Sequence, residues 1–99
     1  MLASFLVVGL GGCGGPPQIG VDEESFKSVD ALYTAVSLRD QKLVDQCDGR
    51  LRDLKDGKKL PEAASTSLDA IIAKARRGKW EDAQTSLGAF MRGQRRAKE

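Results

Sequence analysis

Apolar residues recur at helical spacing over most of the chain after residue 21. Four stretches place them three and four positions apart, the pattern of a helix that packs on one side. In chain order these apolar positions are Phe26, Val29, Leu32, Tyr33 and Val36; Leu43, Val44, Cys47, Leu51 and Leu54; Ala64, Leu68, Ile71, Ile72 and Ala75; and Trp80, Ala83, Leu87, Phe90 and Met91. The pattern predicts four helices.

Capping and stop residues separate these four helices. Asp22 and Asp40 are predicted N-caps, and Pro61 suits the first turn of the third helix, where its missing N–H would have no partner. Gly57 is predicted to take the left-handed conformation that ends the second helix, and Gly93 is the predicted end of the fourth. Links this short make neighbouring helices antiparallel. We therefore expect an all-α fold, a compact bundle of about four helices built from two antiparallel helical hairpins.

A weak internal sequence repeat supports two related hairpins. A shift of about 39 residues superposes Ala31 on Ala70, Leu32 on Ile71, Val36 on Ala75, Val44 on Ala83, Gly49 on Gly88 and Leu51 on Phe90. This separation lies among the periods of helical repeats. The matched glycines either mark close helix crossings or coincide by chance. The stretch Ala73-Lys74-Ala75-Arg76-Arg77-Gly78-Lys79-Trp80-Glu81-Asp82-Ala83 resembles the inter-helix turn of tetratricopeptide repeats, in which Gly, an aromatic residue and Ala recur in that order. With room for only two repeats, we expect a closed bundle rather than an extended array.

Composition argues against catalysis. The 99 residues contain no His, which removes the usual serine and cysteine triads, most zinc sites and haem ligation by His. Asp45, Asp48, Asp53 and Asp56 alternate with basic residues, as on a solvated helix face with local ion pairs. Cys47 lies on an apolar stripe, where a free thiol packs as a small hydrophobe. We expect no catalytic residue, no metal, no cofactor and no small-molecule substrate.

The N-terminal apolar run ends in Leu10-Gly11-Gly12-Cys13 and is followed by Gly14-Gly15-Pro16-Pro17. Cleavage between Gly12 and Cys13 would leave a cysteine as the first mature residue, with a thiol available for lipidation. In these residues the chain resembles bacterial lipoproteins, whose signal ends in an apolar residue, two small residues and the lipidated cysteine. The predicted organisation is a lipoprotein signal peptide over 1–12, the lipidated Cys13 with a flexible linker over 13–21, and a helical domain over 22–99.

The same residues also fit a dinucleotide-binding pattern. Gly9-Leu10-Gly11-Gly12-Cys13-Gly14 matches G-x-G-x-x-G after the strand-like Phe5-Leu6-Val7-Val8. That pattern functions only where a helix starts in the glycine turn and a second parallel strand follows. Here two prolines follow and the remainder is helical, so the lipoprotein interpretation is favoured.

The lipoprotein resemblance implies a place in the cell envelope. Acyl chains on Cys13 would anchor the chain to membrane lipid, with the domain in the periplasm or outside and an envelope protein as a further candidate partner. Because Gly14 rather than Asp follows Cys13, the resemblance favours the outer membrane in a diderm. No apolar run approaches the ~20 residues of a spanning helix, so the mature chain would be anchored but not threaded through a membrane.

The C-terminal end is basic although the formal net charge is only +2. Arg92, Arg95, Arg96 and Lys98 are candidate contacts for anionic headgroups or a partner; alternatively, they only favour a helix C-terminus. No aromatic residues interleave with these cations, and an exported protein would seldom meet nucleic acid, so we expect no nucleic-acid binding.

Two functions follow from these features. The first is a lipid-anchored envelope lipoprotein with a structural or protein-interaction role; the alternative is a cytoplasmic, tetratricopeptide-like adaptor that binds a partner helix or peptide. An adaptor should expose apolar side chains such as Trp80, Tyr33 or Phe90 in a groove, whereas a self-contained lipoprotein domain should bury them.

Overall fold

The computed structural model describes residues 16–94. Its helices are α1 (Glu23–Ser37), α2 (Gln41–Asp56), α3 (Glu62–Arg76) and α4 (Trp80–Arg92), and the described residues contain no strand. Helix α1 packs against α2 and α4, and α3 packs against the same two helices, so the four form a closed ring. The predicted all-α bundle of two hairpins is confirmed.

Aspartates begin the first two helices, as predicted. Asp22 Oδ2 accepts a hydrogen bond from Ser25 N at 3.0 Å, and Asp40 Oδ1 accepts one from Leu43 N at 3.1 Å. Each carboxylate satisfies a backbone N–H that has no partner inside its helix. Pro61 lies one residue earlier than predicted: it precedes α3, and Glu62 is the first helical residue.

The links after α1, α2 and α3 share one backbone geometry. Arg39, Lys58 and Gly78 have φ angles of 55°, 61° and 81°, so each takes the left-handed conformation that closes a helix. The next residue donates its N–H back into the last turn in each case: Asp40 N to Ala35 O, Lys59 N to Leu54 O and Lys79 N to Lys74 O. The prediction for Gly57 is wrong, because Gly57 has a φ of −84° and Lys58 makes the left-handed turn.

The core takes apolar side chains from all four helices. Its members include Val29, Leu32, Val36, Val44, Leu51, Leu68, Ile72, Leu87 and Phe90. Cys47 belongs to this core as a free thiol, and burial raises its pKa. The thiol therefore stays protonated at neutral pH, and its predicted role as a small packing residue is confirmed.

The two hairpins repeat at the level of helix boundaries. A shift of 39 residues carries α1 onto α3 and the start of α2 onto the start of α4. Buried residues also match, Leu32 with Ile71 and Val36 with Ala75. The close helix crossing predicted at Gly49 is wrong, because no neighbouring helix lies near the position that a Cβ on Gly49 would occupy. The two hairpins also differ at Asp48, a buried carboxylate at the position where the other hairpin has the apolar Leu87.

Candidate functional site: a clasp between the two chain ends

Residues 16–20 precede α1 and lie against the C-terminal end of α4. Ile19 is only 1% exposed and belongs to the hydrophobic core. Together with Phe26, Val29 and Met91, Ile19 lines a cavity of about 80 Å³. Sequence reasoning assigned this stretch to a flexible linker, but the described part of that linker packs onto the bundle.

Two glutamines hold this segment in place. Gln94 Oε1 accepts the N–H of Ile19 at 2.7 Å, while Gln94 Nε2 donates to the carbonyls of Pro17 and Phe90, both at 3.0 Å. Gln18 Nε2 donates to the carbonyl of Gly93 at 3.0 Å. Backbone polar groups outside regular structure need partners, and here the amides provide them. We call the assembly of residues 16–20 with residues 90–94 the clasp.

Gly93 lets the two sides of the clasp approach each other closely. A Cβ built on Gly93 would lie 2.5 Å from both Cγ and Cδ of Pro16, which is nearer than carbon atoms can approach without displacement. Gly93 is also the C-cap of α4, as predicted from the sequence. The residue therefore both ends the helix and makes room for Pro16.

The clasp joins residues 16–20 to residues 90–94, and most of the candidate site residues predicted from the sequence lie beyond these ranges. Gly12, Cys13, Arg95, Arg96 and Lys98 lie outside the described residues. Arg92 is exposed in the last turn of α4.

The clasp residues are close in sequence to both groups of candidate residues. Only Gly14 and Gly15 separate Cys13 from Pro16, and Arg95 directly follows Gln94. The hydrogen bonds of Gln18 and Gln94 thus hold the first and the last described residues together at one end of the bundle.

Sequence reasoning missed three residues of the clasp: Gln18, Ile19 and Gln94. One signal was available, since Ile19 is a large apolar residue in a stretch otherwise made of Gly, Pro and Gln. The glutamines carried no signal, because the backbone groups that they bind across the clasp are more than 70 positions away in sequence.

A second polar cluster links α2 to α3 near the opposite end of the bundle. The buried carboxylate of Asp48 accepts from Arg76 Nη2 at 3.1 Å and lies 3.3 Å from Arg52 Nη2. Arg76 also donates to the exposed Asp45 at 2.8 Å. The expectation of a wholly solvated acidic face is therefore wrong at Asp48.

The pKa shifts in this cluster follow from its hydrogen bonds. The hydrogen bond from Arg76 lowers the pKa of Asp45, and that from Gln41 lowers it further. The same bond to Asp45 raises the pKa of Arg76. The favourable interaction of Asp45 is therefore present at neutral pH and is lost as the pH falls through the lowered pKa. The cluster acts as a structural brace between α2 and α3.

Most large apolar side chains of the described residues are covered. Phe90 is buried, and Tyr33 and Trp80 pack partly buried against the core. Val21 and Leu38 are the large hydrophobic residues that stand exposed in this part of the chain. Residues 16–94 hold no group of three or more side chains suited to a metal ion. None of the helices described is long and apolar enough to cross a bilayer.

Comparisons with known proteins returned no relative: no protein-family model, no curated protein and no solved structure matches this chain.

Proposed function

We propose that this chain is a lipid-anchored lipoprotein of the cell envelope, with a structural or protein-interaction role and no catalytic activity. The clasp carries the proposal, because Pro16, three positions after Cys13, lies against Gly93 at the end of α4. Hydrogen bonds hold Pro17 and Gln18 at the same place. A lipid on Cys13 and the basic tail would then act at one end of the domain. More than one acyl chain, or one chain beside basic residues, makes membrane attachment stable.

Burial of the aromatic side chains supports this proposal over a cytoplasmic adaptor. A groove for a partner helix should present several large apolar anchors to solvent. In the described residues Phe90 lies in the core, and Tyr33 is partly buried with its hydroxyl accepting from Gln84 Nε2 at 3.4 Å. A self-contained domain held near a membrane fits this surface better.

Arg92, Arg95, Arg96 and Lys98 are proposed as contacts to anionic headgroups or to an envelope partner. Arg92 is an exposed residue of the clasp, and the other three follow within six residues of it. Each basic residue held close to an anionic bilayer contributes about 1 kcal/mol. Because the lipid anchor already holds the domain at the surface, these residues would adjust its orientation and partner choice.

Metabolic labelling with an alkyne fatty acid tests the lipid anchor. The full chain would be expressed in a bacterial host beside Cys13→Ser and Cys47→Ser, which each remove one of the two cysteines. We expect label and membrane association for the parent and for Cys47→Ser, and loss of both for Cys13→Ser. Label that persists in Cys13→Ser, or an unlabelled soluble parent, would contradict the proposal, and the latter would favour the adaptor.

A further inference from the structure

We propose that the clasp end of the bundle lies directly against the phospholipid headgroups, with a fixed face toward the membrane. The proposal rests on the proposed lipidation of Cys13. The partner of this surface is a phospholipid bilayer. The length of chain between the lipid and the first residue that the clasp holds determines how far the domain can move from that bilayer.

The clasp shortens the tether, by which we mean the chain between the lipid on Cys13 and the folded domain. If residues 13–21 were flexible, as the sequence suggested, the chain from Cys13 to Asp22 could span about 30 Å when fully extended. The clasp instead fixes the chain from Pro16, through the contact with Gly93 and the hydrogen bonds of Gln94. A chain of the length from Cys13 to Pro16 spans about 10 Å at most. That distance does not allow the domain to leave the membrane surface.

The same short tether selects one end of the bundle. Residues 16–20 run from the end of α4 to the start of α1, and Gly20 lies beside Pro61 at the start of α3. Ser25 Oγ donates to the carbonyl of Lys59, which places the link between α2 and α3 at this end as well. Trp80 begins α4 at the other end, about 20 Å away along the helix axis.

The charge of the clasp end does not by itself explain why this end would face the membrane. Near the described clasp end, Lys58, Lys59 and Arg92 stand among Glu23, Glu24 and Glu62, all of them exposed. Acidic and basic side chains therefore largely offset one another in their effect on an anionic surface. The tether length, and not the charge, carries the inference.

Tryptophan quenching by lipids with a spin-labelled headgroup would test this orientation. Trp80 is the only tryptophan, so the full-length lipidated chain reports the far end without modification. A second variant, Trp80→Phe with Lys59→Trp, moves the reporter to the exposed link at the clasp end. In liposomes of neutral phospholipid, we expect strong loss of fluorescence for the second variant and little for the parent.

A tether extension supplies the matched control. A Gly/Ser insert of about ten residues between Gly15 and Pro16 leaves the bundle untouched and adds an average reach of about 17 Å. It should largely remove the quenching of the Lys59→Trp reporter. Equal quenching at both ends, or quenching unchanged by the insert, would overturn the inference. Intact mass of each sample shows whether lipid is attached, so an unlipidated product counts against the proposed function instead.

Discussion

Replacement of Ile19 by Ala tests whether residues 16–20 are part of the folded domain. In a flexible linker this change would leave the free energy of unfolding unchanged. In the structure Ile19 is 1% exposed and sits in the core between α1 and α4. The substitution would therefore remove buried carbon atoms from the clasp itself.

The expected loss follows from the atoms removed. Ile→Ala deletes three carbon atoms, and at about 0.8 kcal/mol for each buried CH₂ the transfer term is about 2.4 kcal/mol. Incomplete collapse of the cavity brings the usual range for this substitution to about 2–5 kcal/mol. A domain of this size has a total stability of about 4–12 kcal/mol, so Ile19 would contribute a large share.

Urea unfolding of the unlipidated Cys13→Ser chain, followed by far-UV circular dichroism, would measure this loss. With an m-value of about 1.5 kcal/mol/M, a loss of about 3 kcal/mol lowers the midpoint by about 2 M. Val21→Ala is the matched control, because Val21 lies two residues away and is 73% exposed. It should change stability by less than about 0.5 kcal/mol. Equal midpoints for the two variants would refute the packing of Ile19.

Three further changes test other parts of the structure by the same unfolding assay. Gly93→Ala should destabilise the chain by about 1–3 kcal/mol, since its Cβ would collide with Pro16. Ser28→Ala should stabilise it by about 1 kcal/mol, because the buried Ser28 hydroxyl has no hydrogen-bond partner. Arg76→Ala should cost about 1.5–3 kcal/mol, because it removes a charged donor from the buried carboxylate of Asp48.

Each of these changes has a control on the same kind of position. Gly49→Ala replaces a helical glycine with open space around it and should stabilise the chain by about 1 kcal/mol. Ser37→Ala removes an exposed hydroxyl that already accepts from Gln84, so its effect should be small or unfavourable. Arg52→Ala removes the more exposed partner of Asp48 and should cost under about 1 kcal/mol. A variant that behaves like its control would contradict the corresponding contact.

Local signals were sufficient to predict the four helices from sequence. Apolar spacing, Asp22 and Asp40 as caps, and the stop at Gly93 depend on interactions within a few residues, and the structure confirms them. The left-handed residue after α2 was misplaced by one position. Lys58 takes that conformation because the hydrogen bond from Lys59 N to Leu54 O fixes the register of the turn. Propensity alone would have chosen Gly57.

The candidate site was less predictable because it joins distant parts of the chain. Gln18 and Gln94 are unremarkable in sequence, and each gains its role from backbone groups of the other segment. Burial of Asp48 likewise depends on Arg76 from a neighbouring helix. Comparison of the two hairpins offered one sign that Asp48 is buried, since the 39-residue shift places Asp48 on the core residue Leu87.

Intact mass of the membrane-associated full chain, measured beside Cys13→Ser, tests the central claim most directly. We predict a product that lacks residues 1–12 and carries the added mass of acyl chains, with neither feature in the Cys13→Ser sample. A membrane-associated or soluble product that retains residues 1–12 and carries no lipid would contradict the claim that Cys13 anchors this domain.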